Sequence, residues 1–481
     1  MTTRRGFLGL AAGAAVLGTA GFVVAAEAGN NGLLRSKRPL PTPFTVPLPI
    51  PQPKRPTRVE GGVEYYTLIQ RNAEMEILPG VKTWIWGYDG TFPGPTFHLR
   101  RDRKAVVELR NDLGAPTSLH LHGGVTPPES DGYPTDLVKP LNSKTYTYPV
   151  NQRAATLWYH DHRMDYTAPQ VWRGLAGMCL VSDSEEDKLD LPREKYDIPL
   201  LLADRAFDAD GSLMYPALTT GPGVEKDYAN GVMGDVILVN GAPWPVLDVD
   251  ATRYRLRIVN GSNARRYELA LDPGGDLVQI GSDVGLLEKP VEHSSLIVAP
   301  GERFDVLVDF SAYSVGTEVT MVDRLDGQVM RFKVARPGPK SAPVPERLAE
   351  YEKLETASVT RTFDFRTTME HNSARMWTIN DEMYKPGDVI ATPKLGSVEK
   401  WRLTSDFHHP VHLHLAHFQV VKRGGGGPQK RDSGWKDTVD IRPYETVEVL
   451  ARFDGYRGRY MMHCHNLEHE DMAMMADFIV G

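Results

Sequence analysis

The sequence predicts an all-β protein made of stacked β-sandwiches or barrels. Short runs of alternating or β-branched residues recur between Gly, Pro, Asn and Asp, and long stretches with helical periodicity are scarce. Examples of such runs are residues 105–109, 254–259, 304–308 and 446–450. Many short strands separated by turn residues are typical of sandwiches and barrels.

The length of the chain indicates several domains. With 481 residues it is long for one hydrophobic core, and about three domains of roughly 150 residues each are expected. The acidic segment 183–188 and the proline-bearing segment 337–345 look like linkers, and a charged stretch over 346–355 follows the second. Eight prolines within residues 38–56 predict that residues 29–56 form an extended strap outside any sheet interior. The predicted domains are 57–183, 190–336 and 357–481.

The N-terminus has the layout of an export leader. Arg4 and Arg5 precede an apolar stretch rich in Ala and Gly that runs to about Ala28, as in twin-arginine-type signal peptides. We predict a leader over residues 1–28, and therefore a protein exported to the periplasm, the cell surface or the extracellular medium. A membrane anchor is the alternative, but the many small residues make this stretch weakly hydrophobic.

The charge balance favours a small-molecule partner. A formal net charge of −7 argues against a nucleic-acid partner or an anionic membrane surface, and no basic run reverses it. No segment after the leader is apolar enough to span a bilayer, so no stable membrane insertion is expected once the leader is removed.

Histidine clusters are the most informative feature of the chain. Ten of the 15 histidines lie in four short clusters at 120–122, 160–162, 409–414 and 463–469, and Cys464 lies in the last. The middle third of the chain contains only His293. We therefore expect the middle domain to be a spacer and the metal site to lie where the terminal domains meet.

The histidines within these clusters are spaced like metal ligands on β-strands. Residues two apart on a β-strand point to the same face, so each His-x-His pair presents two imidazoles together. Neutral imidazole suits copper, zinc, iron and nickel alike, and the pairs by themselves leave the metal open. The eight residues are His120, His122, His160, His162, His412, His414, His463 and His465.

The last cluster favours copper. Cys464 points away from the strand face that carries His463 and His465, and with His409 and His469 it makes a His₂Cys set. Met474 follows in the sequence and can supply the long axial ligand of a blue-copper centre. A structural zinc site is the alternative, but it needs no further eight histidines and no axial methionine.

The two cysteines are predicted not to pair. Cys464 is better placed as a thiolate ligand between two histidines, whereas Cys179 lies in an apolar stretch and is predicted to be a buried structural thiol.

These motifs resemble those of three-domain multicopper oxidases, and within that family the bacterial spore-coat laccase and bilirubin-oxidase-like group. Further matching stretches are 158–162, 280–283, 434–438 and 465–471, and the resemblance covers essentially the whole mature chain. The resemblance implies three cupredoxin-like Greek-key β-sandwich domains and four copper ions. It places a type 1 copper on His409, Cys464, His469 and Met474, a type 2 copper on His120 and His412, and a type 3 pair on His122, His160, His162, His414, His463 and His465.

The resemblance also implies an activity. A laccase-type oxidase would oxidise phenols, aromatic amines or tetrapyrroles by one electron at a time and reduce O2 to water. The alternative is a metallo-oxidase of Cu(I) or Mn(II), although the methionine-rich insertion of copper-detoxifying members does not occur here. A copper-free scaffold is a third possibility, disfavoured because all ligand positions are filled.

Two acidic residues match positions that this group uses near its copper cluster. They are Asp131 and Glu470, for which the resemblance implies a role in proton delivery. A hydrogen-bonding role toward a ligand imidazole is the simpler alternative. Because one chain carries both halves of the site, we expect a monomer.

Overall fold

The structure is a computed structural model and describes residues 32–219, 221–369 and 375–481. The predicted leader over residues 1–28 lies outside these described residues. In the described part the chain is almost entirely β-structure, as predicted, and most of its strands lie in three pairs of sheets. We refer to these pairs as the first, second and third domains, while the boundaries given above remain predictions.

The first domain is a sandwich of two five-stranded sheets. Side chains from both sheets share one core, which includes Leu68, Leu109, Leu157 and Cys179, because alternate residues along each strand point inward. One sheet has the strand order Pro53–Lys54, Gly94–Arg100, Ala176–Ser182, Ala155–Asp161 and Leu119–His122; the other has the order Arg58–Glu60, Val63–Met75, Ala105–Asn111 and Ser143–Tyr148, with Thr83–Tyr88 also paired to Val63–Met75.

The second domain packs a seven-stranded sheet on a five-stranded one. Its core includes Leu256, Val306, Met321 and Phe332. The larger sheet has the order Ala242–Pro243, Val236–Val239, Asp197–Arg205, Arg253–Asn260, Arg303–Asp309, Leu277–Ser282 and Gly285–His293; the smaller has the order Val246–Ala251, Gly327–Pro337, Glu318–Asp323, Tyr267–Asp272 and Leu296–Val298.

The third domain again pairs two five-stranded sheets. Trp401, Val449, Cys464 and Phe478 lie in its core. One sheet has the order Arg375–Ile379, Val359–Met369, Val398–Ser405, Thr446–Arg452 and His417–Arg423; the other has the order Val389–Ala391, Met475–Val480, Gly458–Cys464, His409–Leu413 and Thr438–Ile441.

Strand register brings histidines from separate motifs together. His120 lies opposite His160 in the first domain, and His412 lies opposite His463 in the third. Opposite residues in a sheet share a face, and successive residues alternate. The neighbouring pair, Val411 and Cys464, therefore points to the other face, which is the core of the third domain.

The proline-rich strap runs along sheet edges. Pro53–Lys54 is the edge strand of one first-domain sheet, and Leu33–Leu34 pairs in parallel with Met233–Gly234 of the second domain. Proline has no N–H for a sheet interior, so edge pairing is what this composition permits.

Helices in the described part are short. The α-helices are Thr167–Trp172 and Leu467–Asp471, and the 3-10 helices are Pro128–Ser130, Glu186–Lys188, Glu194–Tyr196, Lys226–Tyr228, Phe310–Ala312 and Lys430–Asp432. The two α-helices join the first domain to the third, because the backbone N–H groups of Thr167 and Ala168 each donate a 2.9 Å hydrogen bond to Asp471. Among the described helices, none has the length and apolar character to cross a bilayer.

Candidate metal centre

Eight histidines converge in one buried cluster between the first and third domains, where the sequence predicted a metal site. Each is at most 1% exposed. The eight residues are His120, His122, His160, His162, His412, His414, His463 and His465. Two strands of the first domain and two strands of the third, together with the residues directly after three of them, supply these eight histidines.

One triad joins His162 of the first domain to His414 and His463 of the third. Its Nε2 atoms lie 3.2 Å (His162 to His414), 3.3 Å (His162 to His463) and 3.2 Å (His414 to His463) apart. An ion held at about 2.0–2.1 Å by tetrahedral imidazole ligands keeps its nitrogens about 3.3 Å apart. The triad thus has the dimensions of a metal site.

A second triad consists of His122, His160 and His465, whose ligand atoms lie within 4.8 Å of one another. Nε2 of His160 and both ring nitrogens of His465 are buried without a hydrogen-bond partner in the described chain. Leaving such atoms unsatisfied costs about 1–3 kcal/mol each. A metal ion that accepts their lone pairs removes this cost.

The two remaining histidines form a pair. Nε2 of His120 and Nε2 of His412 are 3.4 Å apart, and His122 lies within ligand distance of both. The cluster as a whole is therefore two triads with a pair between them.

A separate group lies on the core side of the same strand. Sγ of Cys464 is 3.3 Å from Nδ1 of His409 and 3.6 Å from Nδ1 of His469, and the two nitrogens are 3.1 Å apart. Met474 is buried in the same core as Cys464, and its carbonyl accepts a 3.1 Å hydrogen bond from the Cys464 backbone N–H. Both cysteines are free and buried, as predicted.

Burial sets the protonation of the ligand groups. It lowers the pKa of His160 to about 3 and lowers the pKa of His409, so these imidazoles are neutral at physiological pH and their lone pairs are free for a metal. Burial also raises the pKa of the Cys464 thiol. A thiolate at this position therefore needs a cation beside it.

Hydrogen bonds on the far side of the rings fix their orientation. The Nδ1–H groups of His120, His160 and His412 donate to the carbonyls of Asp131, Asp161 and Asp437 at 2.6, 2.8 and 3.0 Å. Each bond leaves Nε2 as the ligand atom.

Asp131 also contacts the cluster through its carboxylate. Oδ2 accepts a 2.7 Å hydrogen bond from Nδ1 of His414, while the Asp131 carbonyl holds His120 as described above. Burial raises the pKa of this carboxyl. Asp131 therefore links His120 of the central pair to His414 of the triad that contains His162.

Glu470 lies against the triad that contains His162. Its two carboxylate oxygens are 3.2 Å from Nδ1 of His162 and 3.1 Å from Nδ1 of His463, and the residue is 1% exposed. Glu470 thus lies beside two imidazoles of the same triad, although Nδ1 of His162 and Oε2 of Glu470 have no hydrogen-bond partner in the described chain.

Asp437 and Arg303 are residues to which sequence reasoning assigned no role. Oδ1 of Asp437 is 3.1 Å from Nε2 of His122, and its carboxylate is held by the guanidinium of Arg303. Although burial opposes ionisation, Arg303 and His122 hold the pKa of Asp437 well below its usual range. His122 therefore presents Nδ1, which is buried and has no hydrogen-bond partner in the described chain.

The second domain thus contributes to the cluster without supplying a ligand. The only advance signal for Asp437 was the stretch 434–438, which matched the family. Arg303 gave no signal, since one arginine in a strand of a domain without histidine clusters looks like a surface residue.

Trp377 is a further neighbour that the sequence did not reveal. Its ring stacks on His469 with centroids 3.7 Å apart and an interplanar angle of 25°, and its indole N–H donates to the Ala229 carbonyl at 3.1 Å. The indole therefore fixes the plane of the His469 ring.

The donor chemistry fits copper. A buried His₂Cys set with a nearby methionine suits a blue-copper ion, and neutral imidazoles suit copper ions in the adjacent cluster. Buried donor atoms left without partners are where such ions would be held. Fold and site together define a copper-dependent oxidoreductase built from β-sandwich domains.

Comparison with known proteins agrees with this class. Three family models described as multicopper oxidase match residues 70–186, 210–325 and 357–481. A laccase from Bacillus subtilis (strain 168) is 35% identical over 90% of this chain and 97% of its own length. A bilirubin oxidase from Albifimbria verrucaria is 37% identical over 90% of this chain and 81% of its own length.

Solved structures support the same assignment. A multi-copper oxidase from Pediococcus acidilactici has a TM-score of 0.85 at 33% identity, over 93% of this chain and 94% of that one. The chain belongs to the multicopper oxidase family, and the three cupredoxin-like sandwiches that the resemblance implied are confirmed.

Replacement of Asp437 tests its positioning role. In Asp437→Asn an amide NH2 takes the place of one oxygen that accepts hydrogen bonds from Arg303 or His122. We expect copper affinity to fall about 10–100-fold, as for other residues that orient metal ligands. Copper per chain, measured by mass spectrometry after dialysis against a graded chelator series, gives the readout.

Asp248→Asn is the matched control, because Asp248 is exposed and far from the ligands in sequence. It should keep the wild-type copper content. Wild-type copper retention by Asp437→Asn would show that Asp437 does not position His122.

Proposed function

We propose that this protein is a laccase-type oxidase. It couples one-electron oxidation of phenols, aromatic amines or tetrapyrroles to four-electron reduction of O2 to water. One observation carries the proposal: Cys464 of the mononuclear group lies between His463 and His465 of the histidine cluster. The names of the laccase and bilirubin oxidase relatives support this substrate class.

The proposed site holds four copper ions. His409, Cys464, His469 and Met474 would hold the type 1 ion, and His120 with His412 the type 2 ion. The two triads would hold the type 3 pair, namely His122, His160 and His465 on one side and His162, His414 and His463 on the other. When bound, copper would supply reversible one-electron chemistry at both sites.

The chain itself contributes a short covalent path between the two groups of ligands, and it excludes water from that path. The Cys464 sulfur is separated from the neighbouring imidazoles only by the backbone of adjacent residues. His463, Cys464 and His465 are all fully buried, so the surrounding dipoles are fixed and little solvent reorganises around them. The entire His-Cys-His unit is therefore pre-organised.

Reduction of O2 to water consumes protons, and we assign their delivery to Asp131 and Glu470. Each carboxylate lies within 3.2 Å of a ring nitrogen on a proposed ligand, on the side away from the metal. Both are buried, so bulk water does not replace them readily. The hydrogen bond from His414 to Asp131 also orients that imidazole, and the two roles of Asp131 are compatible.

The proposal also includes export of the protein and a monomeric state. The paired arginines near the N-terminus support export through a twin-arginine-type leader. The ligands of both halves lie on one chain, and this supports a monomer as the working unit.

Cys464→Ser tests the proposed role of the sulfur. We expect the protein to lose its intense visible absorption and its phenol oxidation, because a hydroxyl does not replace a thiolate ligand. Visible and paramagnetic resonance spectra of the copper-loaded protein, together with O2 uptake, measure the effect. Cys179→Ala is the control and should keep the colour and the activity; a coloured, active Cys464→Ser protein would refute the assignment.

Glu470→Gln tests proton delivery. Turnover should fall about 10²-fold, the size of a general acid–base contribution, while copper content and the visible spectrum stay unchanged. O2 uptake at saturating phenol measures turnover. Glu129→Gln, an exposed change, should behave as wild type. Unchanged turnover in Glu470→Gln would exclude a role of Glu470 in proton delivery. Loss of copper would show that Glu470 instead supports the structure of the metal site.

Substrate preference tests the laccase assignment against the metallo-oxidase alternative. Rates of O2 uptake with 2,6-dimethoxyphenol and with Cu(I) at equal enzyme should favour the phenol by at least about tenfold in kcat/KM. A preference for Cu(I) would reverse the assignment.

A further inference from the structure

A cavity of about 630 Å³ lies where the three domains and the segment 349–352 meet. Its volume is within the range of small-molecule sites, about 300–1,000 Å³. Arg101 and Arg153 of the first domain, Leu286 of the second and Arg452 of the third contribute to its walls. None of the proposed copper ligands lines it, and neither does Asp131 or Glu470.

Arg153 is the unusual residue of this cavity. No hydrogen bond or salt bridge joins its guanidinium to any residue in the described ranges, and the guanidinium lies over the face of Trp435, 4.8 Å from the ring centroid. A guanidinium offers five N–H donors in a planar fork. These donors are available to a molecule in the cavity.

Two other arginines lie near Arg153, and their effect on its pKa outweighs that of Tyr351 and Glu352, which act in the opposite direction. Burial, followed by the positive charges of Arg101 and Arg452, lowers the pKa of the Arg153 guanidinium. Arg452 is itself paired with Glu352 through two contacts of 2.5 Å. The potential at Arg153 therefore favours an anion.

The two buried carboxylates of the cavity wall, Asp183 and Glu186, are already engaged elsewhere, and the other four acidic residues that line it are exposed at the surface. Asp183 accepts hydrogen bonds from three backbone N–H groups, those of Ala154, Glu185 and Glu186, at 2.9, 3.0 and 2.8 Å. Glu186 is paired with two arginines of the second domain. These carboxylates do not serve Arg153, yet they repel a multiply charged anion and so favour a monoanion.

Aromatic surfaces lie beside the free guanidinium. Trp435 and Tyr351 have ring centroids 6.4 Å apart at an angle of 59°, and both line the cavity. His417 also lines it; its Nε2–H donates to the Gly123 carbonyl at 3.2 Å. Burial lowers the pKa of His417 to about 4, so this ring adds no positive charge at neutral pH. The walls thus offer one free cation and flat apolar faces.

We infer that this cavity is a binding site for a small aromatic carboxylate, whose carboxylate pairs with Arg153 and whose ring lies against Tyr351. The planar fork of Arg153 matches a carboxylate in bidentate fashion. The ring gains burial against an aromatic wall that an inorganic anion does not use. This site is separate from the copper ligands and does not depend on the identity of the reducing substrate.

Calorimetric titration of the copper-loaded protein with benzoate provides the test. We expect saturable binding with a Kd of about 1 mM, as for a fragment-sized ligand. Arg153→Gln should weaken binding about tenfold or more, because a charge-assisted bidentate pair is lost. Arg110→Gln is the control for net charge, since Arg110 is an exposed arginine paired with Asp112 at the surface, and it should bind benzoate as wild type does.

Further probes separate charge from ring recognition. Benzamide, which is neutral, and inorganic phosphate should both bind at least about tenfold more weakly than benzoate. Tyr351→Leu should weaken benzoate binding more than cyclohexanecarboxylate binding. If Arg153→Gln does not fold, Arg153→Lys keeps the charge without the fork and should show an intermediate loss.

Three results would overturn the inference. They are the absence of saturation by benzoate at about 20 mM, equal benzoate affinity in wild type and Arg153→Gln, and tighter binding of phosphate than of benzoate. Equal affinity accompanied by a change in the paramagnetic spectrum of copper would place the anion at the metal centre instead.

Discussion

The alternation of side chains along the strand Gly458–Cys464 is the constraint on which the site depends. His463 and Cys464 are adjacent, so a β-strand must point them to opposite faces. Cys464 enters the core of the third domain, where His409 and His469 meet it. His463 emerges on the face that meets the first domain. Neighbouring residues in a helix differ by only about 100° around its axis, so a helix would not point them to opposite faces.

That geometry makes domain docking part of the metal site. A triad assembled from His162 on one side and His414 and His463 on the other has correct distances only if the two sandwiches hold a fixed relative position. Asp471 fastens the helix of the third domain to that of the first, and Arg303 of the second domain holds Asp437. The middle domain is therefore more than a spacer, although it supplies no histidine to the cluster.

How much of this structure could be predicted depends on how far apart in the sequence the interacting residues lie. Strand periodicity is local, so the all-β class and the His-x-His faces could be predicted from neighbouring residues. The ligand set around His409 and Cys464 could also be predicted, because the spacing of the ligands is visible in the sequence motifs. Arg303 is separated from Asp437 by 134 residues, and its role exists only after two domains dock. Trp377 likewise meets His469 only across the folded third domain.

Charge placement explains why the docked interface tolerates so many polar groups. Neutral imidazoles cost less to bury than cations, and burial itself keeps the histidines neutral. The ionised Asp437 is compensated by the bidentate Arg303, since a buried carboxylate without a partner would be strongly destabilising. The atoms left without a hydrogen-bond partner in the described chain include Nε2 of His160 and both ring nitrogens of His465. Metal binding that satisfies these atoms also stabilises the domain interface, so copper affinity and domain docking are thermodynamically linked.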